Sequence, residues 1–244
     1  YKLNSTLPGY TAASVISYRA GSIADSSRLV RASYSEVKPE TVRSYEIGYK
    51  GVIGKKLLFD AYYYYSKYKD FLVGVAVVQP KSGAKSEAYS PFSSSNISYT
   101  QNSDQGVQSQ GWGVGIEYNF IKNYQFYGNV YSDVLKNVPS GVVTYFNAPK
   151  YRFNVGLRND NVAHNVGFNI VLKWQDNNYY EGTFVTGTLP YFATVDAQVT
   201  YRPAKTKSVF RGGGTNLGNN YYRTGFGSPY VGGVYYISYG YNIF

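Results

Sequence analysis

Residues 164–175, HNVGFNIVLKWQ, put Val166, Phe168, Ile170, Leu172 and Trp174 on one side of an extended chain. Asn165, Gly167, Asn169, Lys173 and Gln175 fall on the other, with Val171 as the one apolar intruder. Successive side chains of a strand point to opposite faces, so this period-two pattern specifies a strand with one apolar and one polar face. The alternation recurs in SYEIGYKG (44–51), LLFDAYYYYS (57–66), WGVGIEYNF (112–120), YRFNVGLR (151–158) and ATVDAQVTYR (193–202). It predicts about nine strands, near 41–52, 56–68, 107–120, 124–136, 149–159, 163–175, 190–202, 206–217 and 233–244. Several run to about a dozen residues, twice the usual length of about 5–6 in soluble domains.

The connections alternate as well. IGK (53–55), IKN (121–123), DNV (160–162) and PAK (203–205) read as tight turns, rich in Gly, Pro, Asn and Asp. Between them lie long links at 69–106, 137–148, 176–189 and 218–232. Short turns at one end and long loops at the other are the pattern of an outer-membrane barrel. Within the first link, FLVGVAVVQP (71–80) is expected to prolong the preceding strand, and 82–106 reads as a polar loop. Residues 1–40 are irregular, with a turn at LPGY (7–10) and one short helix expected in SIADSSRLVRAS (22–33).

The polar rows carry Gly, Asn, Lys, Arg, Asp and Glu, which suits a hydrated interior. The apolar rows then face lipid, with Tyr and Trp near their ends as interfacial girdles. The competing arrangement is a soluble antiparallel barrel or sandwich with its apolar rows inside. Strand length and one-ended loops both speak against it. No apolar run of about 18 residues is present, which rules out a transmembrane helix but not crossing by strands of about 9–11 residues. Thirty Tyr, 13 Phe and 26 Gly among 244 residues fit such strands. The expected fold is therefore an all-β transmembrane antiparallel β-barrel in the outer membrane, with lipid as a partner.

The formal charge of +10 is scattered and no Lys/Arg-rich run appears, so no nucleic-acid partner is expected. Absent Cys excludes a disulfide scaffold and thiolate metal sites. The lack of Met and of an N-terminal signal peptide leads us to expect a processed or truncated product. Catalysis has little to work with. The single histidine, His164, sits beside a predicted turn, and no His pair or acidic cluster has metal-ligand spacing. GGG (212–214) lacks the Lys-Ser/Thr and the helix of a phosphate loop, so close strand packing explains it better. No enzyme activity, metal or cofactor is expected. Binding is more plausible, and the loop aromatics Tyr179, Tyr180, Tyr221, Tyr222, Phe226 and Tyr230 combine apolar faces with polar tips suited to a bulky solute.

Two segments go beyond pattern. SEVKPETVRSYEIGYKG (35–51) resembles the Lys-Pro-Glu … Ser-Tyr-Glu-x-Gly-x-Lys stretch of TonB-dependent outer-membrane receptors, at Val37, Lys38, Pro39, Glu40, Ser44, Tyr45, Glu46, Gly48 and Lys50. TNLGNNYYRTGFGSPYVGGVYYISYGYNIF (215–244) resembles the family's terminal hairpin, at Asn216, Leu217, Tyr221, Tyr222 and Phe244. The resemblance implies a signal for barrel insertion on the last strand, here Tyr235, Ile237, Tyr239, Tyr241 and Phe244. The apolar row Tyr235, Ile237, Tyr239, Tyr241 and Ile243 leaves Phe244 in the opposite register, a departure from the pattern.

Family barrels have 22 strands around an N-terminal plug, so these strands correspond to roughly 14 to 22. Residues 1–40 then form mostly the extracellular loop region leading into the barrel, and 41–244 its C-terminal strands. The resemblance implies TonB-dependent import of a scarce solute such as a ferric chelate, cobalamin or an oligomer. It also implies as partners the rest of the same receptor (plug and N-terminal strands) and, indirectly, TonB-ExbB-ExbD. Glu46, Lys50, Asp60, Glu117, Arg152, Arg158, Lys173, Asp196, Arg202 and Arg211 fall on the interior row, where they face plug or solute. The alternative is a structural barrel that transports nothing and serves a larger surface complex with a lipoprotein or other subunits.

Overall fold

The computed structural model describes residues 6–182 and 185–241. Its elements are β1 (Tyr10–Thr11), α1 (Ala12–Arg19), β2 (Thr41–Ile53), β3 (Leu57–Lys69), β4 (Leu72–Pro80), β5 (Ser94–Asn102), β6 (Gln108–Ile121), β7 (Tyr124–Lys136), β8 (Tyr151–Ala163), β9 (Val166–Gln175), β10 (Asn178–Glu181), β11 (Thr186–Leu189), β12 (Phe192–Tyr201), β13 (Ser208–Thr215) and β14 (Val234–Tyr241). Short 3-10 turns occupy Ser26–Arg28 and Lys85–Tyr89.

Nine strands form one sheet in the order β14-β13-β12-β9-β8-β7-β6-β3-β2. They are the nine expected from alternation. Antiparallel registers carry the apolar rows in line from β8 through β9 to β12. Phe153, Val155 and Leu157 of β8 stand opposite Trp174, Leu172 and Ile170 of β9. Those in turn stand opposite Ala193, Val195 and Ala197 of β12. No buried apolar side chain among the described residues belongs to this sheet: Tyr10, Val15, Tyr18, Val73, Val77, Val78, Ala88, Val107 and Leu189 all lie elsewhere. On the sheet, Ile170, Leu172, Val195, Val199, Phe210 and Ile237 are 40 to 92% exposed. Soluble monomers rarely expose contiguous apolar patches above a few hundred Å². An apolar face carried on a nine-stranded sheet is the pattern of strands that cross a membrane.

The polar face uses a repeated device. Tyr64 of β3 crosses Gly111 of β6 and donates to Asp133 Oδ1 of β7 at 2.7 Å. Tyr127 of β7 crosses Gly156 of β8 to Asn169 Oδ1 of β9 at 2.6 Å. Tyr236 of β14 crosses Gly213 of β13 to Gln198 Oε1 of β12 at 2.8 Å. Each bridge spans two strand spacings, about 10 Å. A Cβ on Gly111 or Gly156 would collide with the ring above it, so the glycine is the slot and the tyrosine the bolt. Gly213 is also packed against the Ala197 carbonyl, which bears out the close-packing reading of GGG at that position.

Local differences from expectation have identifiable causes. Residues 160–162 are not a turn: β8 continues to Ala163 through a register shift after Asn159. The chain reverses instead at His164 and Asn165, both left-handed at φ 49° and 66°. Two consecutive left-handed residues suit a tight hairpin, and Asn and His tolerate that conformation better than most. The stretch 71–80 does not prolong β3, because Asp70 turns left-handed (φ 56°) and β4 enters another sheet. The polar portion of that link is structured too, since Ser94–Asn102 pairs along all of β4. The helix expected within 22–33 is only the turn Ser26–Arg28, and the true helix is α1.

The chain divides into two compact units: Tyr1–Arg43, Lys67–Gln108 and Leu135–Phe146 form one, and Ser44–Ser66, Ser109–Val134 and Asn147–Phe244 the other. The first contains the sheet β1-β4-β5 and a small core of Tyr10, Val15, Tyr18, Val78 and Ala88. Tyr18 is fully buried, meets Tyr89 edge-on at 5.3 Å and donates to the Ile23 carbonyl at 2.6 Å. Near the turn Lys85–Tyr89, the Ser82 backbone N–H and hydroxyl each donate to the Glu87 carboxylate at 2.8 Å. These bonds hold its carboxyl below the ordinary value near 4.5. The second unit holds most of the large sheet together with the β10–β11 hairpin.

Replacing Tyr127 by Phe should cost about 1 kcal/mol, the worth of one hydrogen bond. Gly156→Val, which evicts the ring as well, should cost about 1–3 kcal/mol; thermal unfolding of the detergent-solubilised protein measures both. For Glu87, a depressed pKa means the turn is stabilised above the ordinary carboxylate value and loses that support as pH falls through the folded pKa. Hydrogen exchange at Ser82, corrected for intrinsic rate, should therefore quicken in acid, and Glu87→Gln should remove that dependence.

Candidate functional site: the charged face of the sheet

Nine of the ten candidate interior residues gather into three clefts, all within the second unit. Lys50, Asp60 and Glu117 line one of about 400 Å³, together with Tyr62 and Tyr131. Lys50 Nζ lies 3.2 Å from Asp60 Oδ2, with both side chains well exposed. An exposed pair of this kind contributes about 0–1 kcal/mol. Glu46 lies on β2 in the same strand row as Lys50, exposed and outside the clefts.

Arg152, Lys173 and Asp196 line the second cleft, of about 390 Å³, with Asn154, Thr194, Phe192 and Tyr222. Arg152 pairs with Asp133 at 3.1 Å and lies over the Tyr131 ring at 4.4 Å. Asp133 also accepts from Tyr64, which ties the ion pair to a tyrosine bridge. The buried Nε of Arg152 has no partner among the described residues, leaving one donor of its fork unused. Lys173 reaches Asp196 at 2.6 Å, and Asp196 accepts the Asn216 backbone N–H at 2.8 Å. The third cleft, of about 180 Å³, is lined by Arg158, Arg202 and Arg211 with Asp160.

The loop aromatics divide. Tyr222 stacks on Phe192 with centroids 3.9 Å apart and planes at 19°. Tyr180 meets Phe226 edge-on at 5.8 Å. Arg223 covers Phe226 at 4.6 Å and Tyr230 at 5.5 Å, so one cation gathers two of the expected aromatics. Tyr179 and Tyr221 stand apart, at 61% and 69% exposure. Arg223 was missed because its role comes from loop folding, which no strand period encodes. Asp133, Tyr127 and Tyr131 were readable: they share one row of β7, alternating with apolar residues.

On β14, Tyr235, Ile237, Tyr239 and Tyr241 occupy the apolar face, opposite Gly214, Gly212, Phe210 and Ser208 of β13. Phe244 lies outside the described residues. His164 is an exposed turn residue. Among the described residues no group of three or more His, Asp or Glu is arranged to hold a metal ion, and no helix is long and apolar enough to cross a membrane.

Asp133→Ala should remove the carboxylate that Arg152 and Tyr64 share. Because the pair is partly exposed (31% and 22%), the loss should be about 1–2 kcal/mol, below the 3–5 of a fully buried pair. Chemical or thermal unfolding checks the value.

Comparison with known proteins places the architecture. The family described as TonB dependent receptor-like, beta-barrel, matches residues 1–217. Among solved structures, the chain is similar to the FrpB iron transporter of Neisseria meningitidis at 14% identity and a TM-score of 0.61, over 85% of this chain and 31% of that one. The siderophore receptor PirA of Acinetobacter baumannii gives 16% identity and a TM-score of 0.58, over 84% and 32%. The ferric yersiniabactin uptake receptor FyuA of Yersinia pestis gives 14% and 0.56, over 82% and 28%. The chain thus spans about a third of the length of these proteins. No curated protein sequence matches it significantly.

Proposed function

Since the chain belongs to the TonB-dependent receptor-like β-barrel family, we propose that it forms part of the wall and outer loops of an outer-membrane receptor that imports a scarce solute. The remaining strands and an interior plug come from the rest of the receptor, and TonB-ExbB-ExbD supplies the energy through that part. In this arrangement residues 1–40 lead into the barrel from the extracellular side and 41–244 provide C-terminal strands. β14 carries the strand recognised during barrel insertion.

One observation supports this reading above the others: a nine-stranded sheet exposes an apolar row on one face and gathers its charges into clefts on the other. The cleft of Arg152, Lys173, Phe192 and Tyr222 is the best candidate for first contact with solute. Aromatic faces beside the cationic side chains of Arg152 and Lys173 suit a bulky, anionic ligand such as a ferric chelate. Three of the structurally similar proteins are, by name, an iron transporter, a ferric yersiniabactin uptake receptor and a siderophore receptor, which favours the chelate over cobalamin or an oligomer.

The test is uptake of radiolabelled ferric chelates by cells carrying the intact receptor, with and without TonB. TonB-dependent uptake is expected, and Tyr222→Ala should weaken chelate binding about tenfold, or about 1.4 kcal/mol, without loss of the folded barrel. A receptor that takes up no solute in either background would be a structural component of a surface complex instead.

A further inference from the structure

We infer that Arg158, Arg202 and Arg211 form a clamp for the carboxylates of an acidic peptide segment lying in the barrel interior at the short-turn end. The inference rests on the reading of this chain as receptor wall, and assigns the segment to a part of the receptor outside these 244 residues.

The ladder brings the three together. Arg158 pairs with Asn169, Asn169 with Gln198, and Thr200 with Arg211, so all share the polar face. Arg202 follows directly on β12 and donates to the Asp160 carbonyl at 3.2 Å. The cluster sits beside the short connections at 164–165 and 202–207.

Charge balance sets this cleft apart. Elsewhere on the face each clustered cation has its carboxylate on the wall: Lys50 with Asp60, Arg152 with Asp133, Lys173 with Asp196. Here three guanidiniums share a cavity of about 180 Å³ with the single carboxylate of Asp160. Among the described residues that carboxylate forms no ion pair. Among the described residues the Arg158 side chain has only the Tyr127 ring, at 5.9 Å, and the Arg211 side chain has no hydrogen bond or ion pair. The neutral neighbours are engaged, with Gln198 held by Tyr236 and Thr200 and Asn169 by Tyr127. What remains free is cationic, cannot deprotonate, and has the fork geometry that carboxylates match.

Two features select a peptide over other anions. The cluster faces away from the apolar row, so lipid headgroups lie on the wrong side of the sheet. The arginines also rise from strands as far apart as β8 and β13, about 14 Å at the backbone. Two or more carboxylates along a chain engage such a span better than one small ion.

A zero-length coupling tests this in the intact receptor. R211K introduces an amine that a carbodiimide joins only to a carboxylate in direct contact, and mass spectrometry identifies the isopeptide. The expected product links position 211 to an Asp or Glu outside residues 1–244, with yield falling at least about fivefold when R158Q and R202Q are added, as expected for losing about 1 kcal/mol of attraction. Reversing the identified carboxylate to Arg should abolish docking, read as protease sensitivity of the segment, and R202E should partly restore it. Coupling to Asp160 alone would overturn the proposal, as would no coupling in a receptor whose heat-modifiable mobility shows a folded barrel. Loss of protection by inorganic phosphate without any linked peptide would do the same. Uptake by the unsubstituted receptor, measured in parallel, separates failure of the clamp from failure of the import reading.

Discussion

The antiparallel register is the constraint on which everything else depends. Side chains alternate strictly along a strand, so a slip of one residue would send every arginine of β8 to the apolar face and every valine to the polar one. The ten consecutive pairs between β9 and β12 leave no such freedom. The bulge after Asn159 confines the one irregularity of β8 to the hairpin end, beyond Arg152 and Arg158.

Tyrosine and glycine act together to hold that register. Among the described residues the large sheet contributes no buried apolar side chain, so it lacks the core that fixes strands in a soluble protein. Bridges from Tyr64, Tyr127 and Tyr236 substitute for it, each clamping three strands with one ring and one hydrogen bond. They require a glycine on the middle strand, and they explain why tyrosines stand in rows otherwise reserved for polar residues. The Tyr64 bridge ends on Asp133, so the same contact that fixes the strands also positions the partner of Arg152.

Charge on the polar face is organised by this scaffold into paired cations at the clefts of Lys50 and Lys173 and a cationic excess at that of Arg211. Paired charges that stay largely exposed contribute little to stability. The arginine-rich cleft departs from that pattern, and its excess is a property of position, since no stretch of the sequence there is unusually basic.

Much of this was legible in the residues themselves. Period-two alternation located nine strands and assigned their faces, because pleating alone dictates which side chains share a side. The charged candidates on the interior row followed from the same rule. The reversal at His164–Asn165 escaped it, since Asn161 and Asp160 are as turn-prone as the residues that actually turn. So did α1, whose eight residues carry too little pattern to announce a helix before its packing against Tyr10 and Val78 is known. What the sequence by itself determined is the two-faced strand, a property of neighbours along the chain. Only the tertiary structure decided which tyrosine crosses which glycine, which carboxylate answers which arginine, and which three arginines are left unanswered. Those depend on contacts between residues tens of positions apart, where strand order and register, rather than local spacing, set the distance.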